Sequence, residues 1–364
     1  MTQDESTPSG SGAEEFDVFL SGTVFLDIVF TGMLSPPSGG HEVWTDGMGS
    51  SPGGVANLAV ACARLGLSTS LAAAFGGDVY GDYCWSLLQD SEGIDLSHSR
   101  RFEGWHTPVT VSLAFDEDRA MVTHGHPAPA ELNDLLLEVP RSRTCFFDAG
   151  SARPIWLDGA IANGSLVFAD AGWDSTGSWD IARMGEQLQG VYAFVPNAAE
   201  AMAYTRTETA GAALDVLRDY VPLAVVTTGG GGAFAADAQT GETAWVPAVA
   251  VDVLDPTGAG DVFLAGLIVG TMHRWPLQQR LRFANLCAGL SVRDFGGALA
   301  APGWGAVAAW WAEHRSHTRH GRDYAFLDDV IPPGTPREVS RAEATIGLRH
   351  LPALPPQPQP REQP

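Results

Sequence analysis

The segment 255–267, DPTGAGDVFLAGL, sets two glycines and a carboxylate at the mouth of an apolar run. Gly258 and Gly260 let the backbone turn tightly and approach a neighbour closely. Val262, Phe263, Leu264, Ala265, Leu267 and Ile268 then predict a buried helix over 258–272. The first amides of a helix have no partner inside it, and a helix end of this polarity attracts anions. Asp261 stands in that first turn and is itself an anion. The segment alone allows two readings: a glycine-rich helix cap with a first-turn acid, or an anion site with a carboxylate beside it.

Other polar residues fall near the ends of predicted strands, where open parallel sheets bind their ligands. Asp27 lies in or just after the apolar run VFLDIVF. A carboxylate there either accepts from two neighbouring hydroxyls, as in a polyol, or stands as a solvated strand-end acid. Gly53 and Gly54 precede a helix, and Asn57, one turn in, can donate to and accept from a hydroxyl; a plain capping turn has the same sequence. In PNAAEA (196–201), Asn197 and Glu200 share one face of a starting helix. They form a capping box or a polar pair beside hydrated magnesium and phosphate, since Mg²⁺ keeps most of its waters. VVTTGGGGAFAAD (225–237) reads as strand, turn, strand. It does not fit G-x-G-x-x-G before a helix, which argues against a dinucleotide site. His124 and His126 are two apart with no third ligand nearby, so the pair does not by itself make a metal site.

These residues need a scaffold. From Phe16, DVFLSGTVFLDIVFTG gives a buried strand, a Gly, and a second apolar run. Residues 35–52 are loop-like, with a short strand expected near Glu42–Trp44. PGGVANLAVACARLG is a turn opening into a helix, with Val55, Leu58, Ala59, Cys62 and Leu65 at helical spacing. The stretch 107–124 alternates and carries an Asp-Glu-Asp turn, which predicts a β-hairpin. Strands recur at 144–147, 165–170, 193–196 and 223–227 with helical stretches between them, the signature of a mostly parallel sheet covered on both faces. Helices over 258–272 and 276–294 follow, and the folded chain is expected to close near His314. Residues 1–14 and the Pro-rich 316–364 are expected to be disordered tails.

Composition bounds the function. The chain has 364 residues and is 45% hydrophobic, enough for a large core. Its formal net charge is −22, and all 21 basic residues are Arg. Such a surface repels nucleic acid and anionic membranes. The absence of Lys excludes Schiff-base chemistry and a Walker-type phosphate-binding Lys. Cys62, Cys84, Cys145 and Cys287 are far apart and show no metal-ligand spacing. No secretory signal or membrane span is read in the sequence, and a cytoplasmic location is expected.

Taken together, PGGVANLAVACARLG, FGGDVYGD (75–82), PNAAEA, VVTTGGGGA and DPTGAGDVFLAGLI, in that order, resemble the ribokinase-like, or PfkB, family of carbohydrate kinases. The resemblance covers about residues 16–312. It implies a Rossmann-like three-layer α/β/α ribokinase fold over 15–315, with a small β-sheet lid from about 35–50 and 107–124. It implies Asp261 as the general base that takes the proton of a substrate hydroxyl. The amides of Gly258, Ala259 and Gly260 become the anion hole for the transferring phosphoryl group. By the same resemblance Asp27, Gly53, Gly54 and Asn57 contact the sugar, and Asn197 and Glu200 serve magnesium and phosphate, Glu200 through water. Thr227, Gly229 and Gly232 border ATP, and Asn285 falls where the adenine or ribose is contacted. Asp255 and Thr257 match positions that help hold K⁺ in some members. Phosphoryl transfer rests on positioning and charge stabilisation, which fits a base on the same turn as an anion hole.

The sequence departs from ribokinase proper. Val55 and Ala56 stand where Lys-Gly is common, and the pocket motif carries no cation for a phosphorylated sugar. FGGALAAP (295–302) carries one residue more than the usual Gly-Ala turn. The expected activity is ATP- and Mg²⁺-dependent phosphorylation of a hydroxyl on a small unphosphorylated sugar. An adenosine-type nucleoside kinase and a catalytically inactive sugar-binding sensor are the alternatives. Trp44 and Trp105, near the lid, either stack on the substrate or belong to the lid core. A homodimer formed through the lid is the expected assembly.

Overall fold

Strand β1 (Phe16–Ser21) shows why the sheet must be covered on both faces. Val18 and Leu20 point into one hydrophobic core and Phe19 into another, all fully buried. The same alternation holds for Phe146 against Cys145 and Phe147, and for Phe168 against Val167 and Ala169. Successive side chains on a strand face opposite ways, so strands apolar at every position require helices on both sides.

In this computed structural model the described residues are 16–115, 118–128, 136, 139–172, 174, 177–294, 297–317 and 320–335. After β1 the chain runs through β2 (Val24–Met33), β3 (Gly47–Gly54), α1 (Val55–Arg64), β4 (Thr69–Ala72), β5 (Ala74–Gly76) and α2 (Val79–Ser86). There follow β6 (Arg100–Phe102), β7 (Val109–Phe115), β8 (Asp118–His124), β9 (Ser142–Asp148), α3 (Leu157–Ala162), β10 (Leu166–Asp170) and α4 (Ile181–Gln187). Next are β11 (Ala193–Phe194), α5 (Ala198–Thr205), α6 (Ala210–Leu217), β12 (Leu223–Thr227), β13 (Ala233–Asp237) and β14 (Glu242–Val246). The helices α7 (Ala259–Met272), α8 (Leu277–Ser291), α9 (Trp304–His314), α10 (His320–Asp323) and α11 (Leu327–Val330) complete the described elements.

The main sheet has the order β14-β13-β12-β11-β10-β9-β1-β4, parallel from β12 to β4 and antiparallel at the β13 and β14 edge. The expected three-layer α/β class is what the structure has. α7 is apolar all round, buried from Val262 to Thr271, because α1 and α8 flank it. A Cβ on Gly266 would come within 2.8 Å of the Ala284 Cα, so this Gly lets α7 and α8 cross closely.

The lid is a separate sheet, β3-β2-β7-β8, and it differs from the expected one. The second apolar run is a lid strand, so Asp27 sits mid-strand above the cleft and not at a strand end of the main sheet. The strand expected near Glu42–Trp44 is absent; the pairing strand is β3, GMGSSPGG, whose composition hides it. Its extended form comes from an eight-residue antiparallel register with β2, and such tertiary pairing overrides weak strand propensity. Asp78 ties the lid to the main body. Its carboxylate caps α2 at the Gly81 amide (2.8 Å) and accepts from the Thr107 amide (2.9 Å) and hydroxyl (2.8 Å). Burial alone raises its pKa, but these bonds hold it below the usual carboxylate value.

The folded chain also runs past the expected end. Tyr324 and Leu327 are buried in the first core, and Trp311 Nε1 donates to Asp328 at 2.8 Å. Residues 1–14, Phe295 and Gly296 of the FGGALAAP segment, and the tail beyond 335 lie outside the described residues. All four cysteines are buried and free. Among the described residues no helix is long and apolar enough to cross a membrane.

Candidate active site

Two glycine turns launch the helices that floor the cleft. Gly54 (φ 63°) starts α1 and Gly258 (φ 74°) starts α7, neither with a side-chain cap. Only Gly takes that left-handed backbone without strain. At the mouth of α7 the Ala259 amide donates to the Pro256 carbonyl at 3.2 Å, while the Gly258 and Gly260 amides are left for a ligand.

Asp261 lies in the first turn of α7, half-buried, and accepts a hydrogen bond from Asn57 Nδ2 on α1 at 3.2 Å. Asn57 sits against the turn itself: a Cβ on Gly258 would be 3.2 Å from Asn57 Cγ. The protein around Asp261 displaces its water and raises its pKa to about 7, while the Asn57 bond opposes that rise. A carboxylate poised there is a competent proton acceptor near neutral pH.

Asp27 and Gly53 fit together. A Cβ on Gly53 would overlap the Asp27 carboxylate, which is itself buried. Gly53 therefore makes room for Asp27, just before the chain enters α1.

Asn197 and Glu200 realise the capping box. The Glu200 amide donates to Asn197 Oδ1 (3.0 Å), and the Asn197 amide donates to Glu200 Oε2 (3.1 Å). Burial pushes the Glu200 pKa up to about 7 against those bonds. Asp170 closes β10, directly beside Asp148 at the end of β9. Its pKa is raised well above the ordinary value, first by burial and then by the charge of Glu200, with Asp261 and Asp148 adding to it. Sequence reasoning misses Asp148 and Asp170, which belong to no motif. The one signal that could find them is that both are the last residues of parallel strands. Among the described residues no three His, Cys, Asp or Glu side chains form a ready metal cage. That donor set suits Mg²⁺, a hard cation held by one or two carboxylates, waters and substrate phosphates.

On the far side, Thr227 ends β12, and Gly229 (φ 53°) has nothing within 4 Å of a would-be Cβ, so the turn is open there. Gly232 (φ 91°) is different: a Cβ would overlap the Val246 carbonyl, so packing explains it. Trp245, half exposed, donates to the Gly231 carbonyl at 3.2 Å and presents a ring beside the turn. Asn285 faces inward. Its amide donates to the Val246 (3.1 Å) and Pro247 (3.3 Å) carbonyls, so both amide hydrogens serve the loop after β14. Asp255 is buried, and its Oδ1 accepts from the Thr257 amide at 2.9 Å, shaping the turn that leads to Gly258. Trp105 is buried, with its indole donating to the His126 carbonyl at 3.3 Å, whereas Trp44 is exposed. His124 and His126 are exposed on the lid rim.

Residues 42–303 match the family model described as pfkB family carbohydrate kinase. The chain belongs to this family. It is a phosphotransferase of the carbohydrate and nucleoside kinase class. Among curated proteins, this kinase is similar to a ribokinase of Schizosaccharomyces pombe (strain 972 / ATCC 24843), 26% identical over 79% of this chain and 95% of that protein. It is also similar to a pseudouridine kinase of Escherichia coli (strain K12), 24% identical over 66% of this chain and 80% of that protein. Among solved structures, a putative ribokinase II from E. coli in complex with ATP and Mg²⁺ shares the fold, with a TM-score of 0.67, 20% identity, and coverage of 82% of this kinase and all of that chain.

Proposed function

We propose that this kinase transfers the γ-phosphoryl group of ATP to a hydroxyl, most simply a primary one, of a small unphosphorylated sugar, with Asp261 as the general base. The observation that carries the reading is the α7 turn. A carboxylate with a pKa of about 7 and the open amides of Gly258 and Gly260 share one turn of helix. The acceptor oxygen bonds to the γ-phosphorus as the bond from that phosphorus to the β–γ bridging oxygen breaks. The hydroxyl proton passes to Asp261, and ADP leaves. The amides of Gly258 and Gly260 face the charge that builds on the phosphoryl oxygens, and that of Ala259 joins them by giving up its 3.2 Å bond to the Pro256 carbonyl. Asp27, Gly53, Gly54 and Asn57 hold the sugar. The lid strands exclude water, which limits hydrolysis of ATP.

Glu200, with Asp170 and Asp148 beside it, would hold Mg²⁺ through water. Bound there, the metal would supply positive charge to neutralise the phosphates. Thr227, Gly229 and Gly232 border the nucleotide, and Asn285 supports that wall from behind. Asp255 and Thr257 are the residues that would hold K⁺ beside the α7 turn. The acidic and neutral character of the cleft residues favours an acceptor without a phosphate of its own. The likeness to a pseudouridine kinase keeps a nucleoside acceptor as the second reading. The lid face opposite Asp27 supports a homodimer. It carries Phe30 paired with Met48 and Val111 paired with Val122, with Met48 and Val122 exposed. Light scattering on the purified protein reads that assembly.

The deciding experiment measures ADP release from ATP·Mg²⁺ over a panel of sugars, sugar acids and nucleosides, with and without K⁺. One strong acceptor is expected. Calorimetric binding of a sugar with no turnover by any acceptor would overturn the kinase reading in favour of a sensor.

A further inference from the structure

The lid strands lie in the order β3-β2-β7-β8, and one row of residues crosses all of them. Ser51 pairs with Asp27, Asp27 with Thr110, and Thr110 with Thr123. Residues paired in register point to the same face of a sheet. The Asp27 face of the lid therefore carries a hydroxyl, a carboxylate and two more hydroxyls in one continuous row. Its first member shows where the row begins. A Cβ on Gly297 would stand 3.6 Å from Ser51 Oγ, 3.0 Å from Asn57 Oδ1 and 3.4 Å from Thr257 Cγ2. Ser51, Asn57 and the turn that leads into α7 thus border one small space.

The far half of the row is open. Ser51 and Asp27 are buried, whereas Thr110 is half-buried and Thr123 exposed. The Thr110 and Thr123 hydroxyls lie 3.1 Å apart and share one hydrogen. A hydroxyl donates once and accepts twice, so the pair keeps one O–H and further lone pairs for a ligand. Ser112, two residues along β7 and so on the same face, has a buried Oγ with no hydrogen-bond partner among the described residues. Cross-strand Thr pairs also occur simply to steady a sheet. This pair is set apart by its place: it extends the row of the Asp27 carboxylate towards solvent.

We infer that Thr110 and Thr123 determine acceptor specificity: with Asp27 they form an edge that selects an acceptor bearing hydroxyls on neighbouring carbons over one bearing a flat base. The inference rests on the reading of Asp27 as an acceptor contact. Neighbouring strands are about 5 Å apart. An acceptor with one hydroxyl on Asp27 therefore brings another, one or two carbons along, within reach of Thr110. A carboxylate only accepts, while the Thr pair donates and accepts, so the row matches hydroxyls that do both. A base set against these side chains would leave the spare O–H unpaired, and a site built for a hydroxyl rejects a ligand that lacks one. None of the four residues is aromatic, so the row gives a base nothing to stack on.

The test is calorimetry on the full chain with ribose, fructose, the other sugars of the panel, and adenosine. It compares wild type with Thr110→Val, Thr123→Val and the double variant, which remove hydroxyls and keep the side-chain shape. The tightest-binding sugar should lose about 3- to 10-fold in affinity in Thr110→Val and less in Thr123→Val. The double variant should be no weaker than Thr110→Val, because the two hydroxyls act as one bonded pair. Adenosine affinity should hold or rise in all three, an outcome that general damage to the lid would not give. In turnover, the loss should appear in KM with kcat within about twofold. Sugar affinity equal in wild type and all variants overturns the inference, as does a wild type that binds adenosine more tightly than every sugar or binds no sugar at all. Sugar binding that weakens as expected, with no acceptor phosphorylated, supports the specificity row and defeats only the kinase reading.

Discussion

The glycine turns before α1 and α7 look alike on paper and differ in what surrounds them. Gly53 and Gly54 are crowded by the protein's own atoms: the Asp27 carboxylate at one, the Thr23 carbonyl and the Phe25 ring at the other. Gly260 has nothing within 4 Å of a would-be Cβ. The first turn uses glycine to pack a lid strand against a helix. The second is tight only at Gly258, against Asn57, and leaves room at Gly260 in front of the helix mouth. Glycine at a helix entrance therefore has two physical meanings, and the space around the missing side chain tells them apart.

Four substitutions sharpen that contrast. The largest effect belongs to Asp261→Asn, which should cost at least about 100-fold in kcat. The folded protein raises the Asp261 pKa above the unfolded value, so its contribution to stability is present at low pH and lost as pH rises through about 7. The melting temperature of Asp261→Asn at pH 8 should therefore not fall, and a marked drop would show that the carboxylate holds the fold together. Next come Gly53→Ala and Gly54→Ala. Each forces a clash, and Gly54 also has positive φ, so each should lose about 1–3 kcal/mol in denaturant titrations. Gly53→Ala should also raise KM for the acceptor through Asp27.

Gly260→Ala should do the reverse. Ala is favoured over Gly in a helix by up to about 1 kcal/mol, so the melting temperature should hold or rise. Activity should still fall, on the order of 10-fold, because a methyl group enters the space before the amides. If Gly260→Ala keeps full activity, the open turn is not where the phosphoryl group sits. The smallest test is the wild-type pH profile. A base with pKa about 7 must be ionised to act, so kcat should decline as pH falls below neutrality. A flat profile from pH 6 to 8 would remove Asp261 from the proton transfer.

Much of this site is legible in the amino-acid sequence. DPTGAGD encodes a turn, a helix mouth and a carboxylate in one short segment, because those features are local in the chain. The alternating strands and helices point to a parallel sheet for the same reason. The lid is less legible. Its strand GMGSSPGG has no strand propensity of its own and exists because β2 pairs along its whole length. Asp170 is hidden because a strand-end Asp is common, and only its burial beside Glu200 and Asp148 marks it. Asn285 and Gly232 match motif positions, yet their atoms are committed to the chain around β14.

By itself the sequence determined the local chemistry: which residues could take a proton, which turns needed glycine, and where helices begin. Those depend on backbone sterics and short-range spacing. Tertiary structure alone decided the partners. Asn57 and Asp261 are 204 residues apart and meet only because α1 packs against α7. Asn57 Oδ1 and Ser51 Oγ come within 4 Å of the space that a side chain on Gly297 would fill only because the lid strand, the first helix and a turn near the end of the domain share a corner. A carboxylate's pKa, and hence its fitness as a base, is set by such neighbours and by the water they displace.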